Sequence, residues 1–410
     1  MLALGRSNLN ILIIHQNFPG QFKNLVRDIS GRSTCELTVI SRDTTPVYHG
    51  VRHIRYRPKR SVSSTTHNYL RTFEDAVLHG QQVLRVLLQL ERTGYRPAVI
   101  LAHPGWGEAL FIKDAFPDTP LINFCEYYYH ATGADTGFDP EFPASADSRA
   151  RLRIINSLHL LNLEQCDVGV TPTRWQHSLH PAAYRDKIKV IHEGIDFEGL
   201  LGDHRRDLIL DDGQIVHPGC PIITYVARNL EPYRGFHVFM RSLSRILKQH
   251  NSVRVVIVGG DGVSYGSRPR DAASWREKMT SDISVADLKR IHFLGKVSYA
   301  KYKQVLSLSS VHVYLTYPFV LSWSLLEAMA MGCVVLGSKT KPVEEVVTDG
   351  INGYLVDFFD SSNIADQTLL ILNSLDKQES IKRNARNTAY AYSSDKANAA
   401  YWHLINSVVI

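Results

Sequence analysis

Several things are scarce in this 410-residue chain, and each shortage excludes a class of protein. There are five cysteines, Cys35, Cys125, Cys166, Cys220 and Cys333, an odd number with no pair at metal-ligand spacing. Neither a disulfide framework nor a zinc module organises such a chain, and buried free thiols in a reducing cytoplasm are expected. No apolar run approaches the roughly 18 residues of a membrane span. Residues 1–14 lack the apolar core and cleavage site of a signal peptide and run straight into a first strand. Excess charge is also small. Lysine and arginine number 46 against 40 acids, a net +6, which permits an anionic ligand or membrane surface without requiring nucleic acid. The loop His15–Gly20 carries one glycine, so the three-glycine dinucleotide fingerprint is missing. No Asp-x-Asp stands at a strand end, and Asp211-Asp212 falls in a polar linker, so no metal is expected.

What is present alternates. Apolar runs at Asn10–Ile14, Leu37–Ile40, Val99–Ala102, Leu121–Phe124, Val168–Val170 and Ile188–Ile191 read as strands. Helical patterns fall between them at 21–30, 69–92, 108–116 and 148–165, with a basic, polar stretch over 41–68. Residues 199–220 lose periodicity and read as a linker. The alternation then restarts with strands at Ile222–Ala227, Arg254–Val258, Ile291–Leu294, Val311–Leu315 and Val334–Leu336, and helices at Phe236–His250, Tyr299–Ser309 and Leu325–Met331. The length exceeds the roughly 100–200 residues of one domain. The expectation is therefore two α/β Rossmann-like domains, 1–198 and 221–385, with a C-terminal helical segment at 386–410 packing back on the first.

Two loops can carry chemistry. Arg228 and Arg234 flank a strand-to-helix turn that ends at Gly235, where parallel sheets bind phosphate. Two guanidiniums there can neutralise a diphosphate; otherwise they are surface residues of a loop. The second loop leads to Ser322-Trp323-Ser324, with Ser322 a candidate N-cap. Glu327 follows in an otherwise apolar helix. A lone acid there needs a partner, either a sugar diol or a core arginine. Arg52, Arg55, Arg57, Lys59 and Arg60 form a basic cluster, read either as a solvated face or as a contact for anionic lipid.

These motifs together resemble glycosyltransferase family 4, with the GT-B architecture of two Rossmann-like domains facing across a cleft. Arg228 and Arg234-Gly235 match the family's Arg and Lys-Gly, with arginine for lysine. Glu327-Ala328-Met329-Ala330-Met331-Gly332 matches the second of two glutamates separated by seven intervening residues, but the first is replaced by Phe319. Gly259-Gly260-Asp261-Gly262 resembles the central glycine turn, and Ile291–Val297 the base-reading segment. The segments Asn17–Phe22, His103–Glu108 and Gly137–Pro143 resemble a bacterial branch.

The resemblance implies retaining transfer of a sugar from a nucleotide-diphosphate donor to a glycan, lipid-linked or other hydroxyl acceptor, without metal or cofactor. Donor contacts then fall on Gly20, Arg228, Arg234, Gly259, Phe293, Leu294, Val297, Ser322, Trp323, Ser324 and Glu327. The family's histidine near the reacting sugar aligns close to Glu126, with His130 four residues on. Either one touches the donor hexose or acceptor hydroxyl, or both pair within the Tyr127–Tyr129 loop. His103 carries the same ambiguity. The expected location is cytoplasmic, with the basic cluster allowing contact at the inner face of the membrane. Other GT-B activities, a nucleotide-sugar epimerase or phosphorylase, and a non-catalytic subunit stand as alternatives.

Overall fold

Runs such as Ile11-Leu12-Ile13-Ile14 have no polar face, so they are stable only as strands covered on both sides. All four side chains are fully buried. The computed structural model describes residues 8–202, 204–210 and 213–409, so residues 1–7, Asp203, Asp211, Asp212 and Ile410 lie outside it. It divides into two compact units: residues 1–194 with 394–410, and residues 195–393.

The first unit holds strands β1 (Leu9–Ile14), β2 (Cys35–Arg42), β3 (Arg52–Tyr56), β4 (Val99–Ala102), β5 (Leu121–Phe124), β6 (Val168–Thr171) and β7 (Ile188–Val190). They form one parallel sheet in the order β3-β2-β1-β4-β5-β6-β7. One face packs Ile11, Ile13, Val39 and Phe124 against the helix Lys23–Ser30 and the C-terminal helix Ser394–Val408. The other packs Leu12, Ile14, Ile40 and Ile100 against the long helix Arg71–Arg92. The C-terminal helix therefore belongs to the first unit, whereas the preceding helix Glu379–Tyr390 belongs to the second.

The second unit begins with a two-stranded hairpin, β8 (Leu208–Ile209) and β9 (Ile215–Val216), inside the segment read as a linker. Leu208, Leu210 and Val216 are buried in a core with Ile222, Val256 and Leu294, so this stretch is part of the folded unit. Its main sheet comprises β10 (Ile222–Asn229), β11 (Arg254–Gly260), β12 (Ile291–Phe293), β13 (Val311–Tyr314), β14 (Val335–Ser338) and β15 (Tyr354–Val356), all parallel, in the order β12-β11-β10-β13-β14-β15. Both units thus wind outward in two directions from a central strand pair, β1/β4 and β10/β13. The loops beyond the carboxyl ends of such a pair diverge and leave a crevice, which is where doubly wound sheets bind ligands.

Strand β3 lies inside the stretch read as polar and basic. It is an edge strand, where charge blunts pairing with another chain. Its cations are engaged locally: Arg57 with Asp43 at 2.5 Å, Arg60 with Glu74 at 2.6 Å, and Arg52 over the Tyr95 ring at 5.5 Å. Arg57 and Arg60, just beyond the strand, stay exposed in these pairs. Of the five thiols, all free, Cys125, Cys166 and Cys333 are buried, while Cys35 and Cys220 are half-buried. No helix among the described residues is long and apolar enough to cross a membrane.

One glycine sets the entry to the helix Phe236–Gln249. Gly235 sits at φ +67°, and a Cβ there would meet Leu315 Cβ at 2.3 Å. Gly235→Ala combines left-handed strain with a clash against an immobile side chain, so it is expected to destabilise the second unit by about 2 kcal/mol. Chemical denaturation measures this, and an unchanged midpoint would contradict the contact.

Candidate functional site

The second unit brings Arg228, Arg234, Ser322 and Ser324 around one small cavity of about 70 Å3, together with Asn229, Glu231, Tyr265 and Tyr314. The cavity lies beyond the carboxyl ends of β10 and β13. The short 3-10 turn Pro232–Arg234 aims Arg234 across the switch point. Its Nη1 donates to Thr316 Oγ1 at 2.8 Å and to the Val320 carbonyl at 3.1 Å. Arg228, at the irregular end of β10, is exposed and has no hydrogen-bond or ion-pair partner among the described residues. Two guanidiniums against the single carboxylate of Glu231 leave net positive charge in the cavity lining, which suits an anion.

Glu231 is the carboxylate closest in sequence, and it is committed elsewhere. It is almost fully buried and accepts the backbone N–H groups of Ser264 at 3.0 Å, Tyr265 at 3.1 Å and Gly266 at 2.9 Å. This clamp sets Tyr265 over the Arg234 guanidinium, 5.4 Å from the ring centre. Tyr265 also stands edge-on to Phe319 at 4.9 Å, and Tyr233 to Phe319 at 5.7 Å. Phe319 is therefore buried in an aromatic cluster, not left as an empty place in the family pattern.

Ser322 caps the helix Trp323–Ala330, its Oγ accepting from Ser324 N at 3.3 Å. Trp323 is exposed at that first turn. Glu327 has no arginine partner: it accepts hydroxyls from Tyr299 at 2.9 Å and Tyr302 at 2.7 Å. Burial, with the Glu327 charge second, pushes the Tyr302 phenol well up, so Tyr302 remains a donor. Gly259 packs so closely that a Cβ would meet Leu230 at 2.7 Å. Its N–H reaches the Gly295 carbonyl at 2.9 Å, which fixes the segment from Phe293 to Val297. Leu294 is buried in the core there, while Phe293 carries the Arg276 guanidinium at 4.5 Å from its ring centre.

The first unit has its own cluster at the β1/β4 crevice. His15 follows β1, His103 follows β4, and Glu126 follows β5. Gln21 Nε2 donates to Glu126 Oε1 at 2.9 Å, and His103 Nε2 lies 3.7 Å from Glu126 Oε2. Trp106 stacks on His103 at 4.4 Å and meets His15 edge-on at 5.4 Å. Burial, then the neighbouring His103 imidazole, lowers His15 to about 3, so it is neutral near pH 7. Glu126 sits below the usual carboxylate range: burial works against this, but His103 and Gln21 outweigh it. Gly20 belongs here, at φ +47°, because a Cβ would lie 2.3 Å from the His15 ring. His130 does not join the cluster. Its Nε2 donates to the Leu179 carbonyl at 2.7 Å, which makes it a tie to the end of the helix Arg174–Leu179.

Sequence reasoning missed Glu231, Tyr265, Tyr299, Tyr302, His15 and Gln21 as site residues. Of these only Glu231 carried a local signal, a carboxylate between the two arginines.

The family described as "Glycosyl transferase family 4 group" matches residues 33–200, and that described as "Glycosyl transferases group 1" matches residues 211–388. N-acetyl-alpha-D-glucosaminyl L-malate synthase of Bacillus anthracis is 29% identical over 113 residues, 27% of this chain and 29% of that protein. D-inositol 3-phosphate glycosyltransferase of Mycolicibacterium smegmatis is 26% identical over 48% of this chain and 42% of its own length. The chain spans 29 to 56% of the length of the curated relatives it matches. Among solved structures, HepE of Anabaena in complex with UDP-glucose superposes with TM-score 0.67 at 16% identity, covering 98% of this chain and 100% of that one. At that identity the likeness is one of fold.

The Glu231 clamp gives a test. Glu231→Ala leaves three N–H groups of the loop without their acceptor, and each such loss costs about 1–3 kcal/mol when the group stays buried. Residues 264–266 should then detach and become a site of limited proteolysis in an otherwise folded protein. An unchanged cleavage pattern would count against the clamp.

Proposed function

Because this chain belongs to the family 4 glycosyltransferases, with the GT-B architecture, we propose that it moves a sugar from a nucleotide-diphosphate sugar to a hydroxyl of a glycan or lipid-linked acceptor, with retention of configuration. The observation that carries the reading is the convergence of Arg228 and Arg234 on one cavity at the β10/β13 switch point.

In this reading the diphosphate takes the cavity. As the bond between the anomeric carbon and the diphosphate oxygen lengthens, negative charge collects on the leaving group. Arg234, already braced by Thr316 and Val320, neutralises it with little reorganisation at the moment of reaction, and the exposed Arg228 adds a second positive charge. Glu327, held by Tyr299 and Tyr302, accepts the ribose hydroxyls. The segment 293–297 presents backbone groups and the Phe293 ring to the base. In the first unit, Glu126 accepts a hydrogen bond from a substrate hydroxyl. Attack from the face of the departing diphosphate retains configuration and needs no protein nucleophile. The acceptor proton leaves with the diphosphate oxygen.

HepE was solved with UDP-glucose and with UDP, which makes UDP-sugars the first donors to try. Thermal shift with UDP-, GDP-, ADP- and dTDP-sugars is the direct test. A donor at 100 times its Kd should stabilise by about 2.7 kcal/mol. If none shifts the melting temperature, the reading fails. With the donor found, Arg234→Ala is expected to lower kcat by about 10²–10³, the scale of losing one preorganised charge-stabilising donor. Near-normal turnover would remove Arg234 from the site. Transfer should also survive chelation, since side-chain cations take the place of a metal. Complete loss in EDTA, restored by manganese, would overturn that part.

A further inference from the structure

The contacts around Glu126 fix more than its position. Each buried imidazole has one nitrogen that must be an acceptor. His15 Nδ1 receives the Asn17 N–H at 3.0 Å, so its proton is on Nε2 and is donated to Gln21 Oε1 at 2.8 Å. With its oxygen occupied as acceptor, Gln21 can present only its NH2 group to Glu126 Oε1, at 2.9 Å. His103 Nδ1 receives the Gly105 N–H at 3.1 Å, so its Nε2 also carries the proton and faces Glu126 Oε2 at 3.7 Å. That Nε2 is buried with no closer partner. Gln176 Nε2 donates to the Glu126 main-chain carbonyl at 2.6 Å and holds the backbone still.

We propose that His15, Gln21 and His103 are positioning residues, a lock that aims the Glu126 carboxylate at a substrate hydroxyl: the Gln21 N–H holds Oε1 at 2.9 Å, and the His103 N–H faces Oε2 from 3.7 Å, short of a hydrogen bond. The substrate role of Glu126 rests on the function proposed above; the lock itself does not. Every link has one direction. Two backbone N–H groups set the two tautomers, and the His15 tautomer sets the amide, so the groups that face Glu126 present N–H and favour its ionised form. A carboxylate so held accepts a hydroxyl hydrogen without first rearranging, and preorganisation of this kind is what recognition in a closed site requires. The titratable groups facing Glu126 are His15, His103 and, from the helix Ala146–Gln165, His159, which burial lowers to about 4. None of the three adds a competing negative charge.

The sign follows. N–H donors hold the Glu126 pKa down, so its carboxylate persists at acid pH, and removing a donor moves the midpoint up. The experiment is a pH titration of protein carrying 13C-labelled glutamate, with the Glu126 carboxyl identified by its loss in Glu126→Gln. Gln21→Leu and His103→Phe, the latter keeping an aromatic ring between Trp106 and Phe124, should each raise the midpoint by about one pH unit. The acid limb of kcat/KM against pH should move by the same amount. Midpoints unmoved in both variants overturn the lock. Midpoints that move while the acid limb stays put keep the lock and remove Glu126 from the reaction, so the two readings fail separately.

Discussion

The turn Glu231–Gly235 is the constraint on which the candidate donor site depends. Its residues point in different directions, and each fixes something else. Glu231 holds the loop 264–266 by three backbone bonds. Tyr233 packs against Tyr317 and Phe319. Arg234 braces Thr316 and Val320, and Gly235 allows Leu315 to come close. A buried carboxylate is costly unless its lone pairs are filled. Here they are filled by a loop that would otherwise lack internal partners. The same carboxylate, so satisfied, does not compete with the arginines for the cavity.

Much of this was legible in the sequence where local pattern and tertiary role coincide. The fully apolar runs marked the buried parallel strands, because such strands have no polar side to show. Arg228, Arg234 and Ser322 were found from their places at strand-to-helix junctions, and the structure does bring them around one cavity. Strand β3 was not legible, because Arg52-His53-Ile54-Arg55-Tyr56 at a sheet edge carries as much charge as a loop. The β8–β9 hairpin was hidden for a different reason: strands of two residues have no period to detect. His130 misled because nearness along the chain to Glu126 is no guide to where an imidazole turns. Its carbonyl partner lies 49 residues away.

Relations among distant residues account for the rest. Nothing local marks Glu231 as the holder of a loop more than thirty residues later. Nor does any local feature show that Asn17 and Gly105, through backbone N–H groups alone, decide which nitrogen of two histidines carries a proton. Such information arises only when the strands have been placed side by side.

Phe319 shows how one substitution can redistribute a function without weakening a fold. A phenyl ring at that position completes a cluster with Tyr233, Tyr265 and Tyr317, which favours edge-on aromatic contacts. A carboxylate inserted among those rings would be desolvated and would lose the edge-on contacts with Tyr233 and Tyr265. The second unit therefore cannot simply regain the family's sugar-binding acid by reversion. In its place stands an apolar aromatic wall made of Phe319 with Tyr233 and Tyr265. Sugar hydroxyls still need an acceptor, because a closed site that leaves them unpaired loses about 1–3 kcal/mol for each. Glu126 is a carboxylate that the fold keeps ionised and oriented while both its oxygens retain free lone pairs. That combination is unnecessary for a structural carboxylate, which is better satisfied in full, as Glu231 is. The two glutamates differ in how they are satisfied: Glu231 is saturated by three backbone N–H groups, whereas Glu126 keeps open lone pairs, the state that the proposed substrate contact requires.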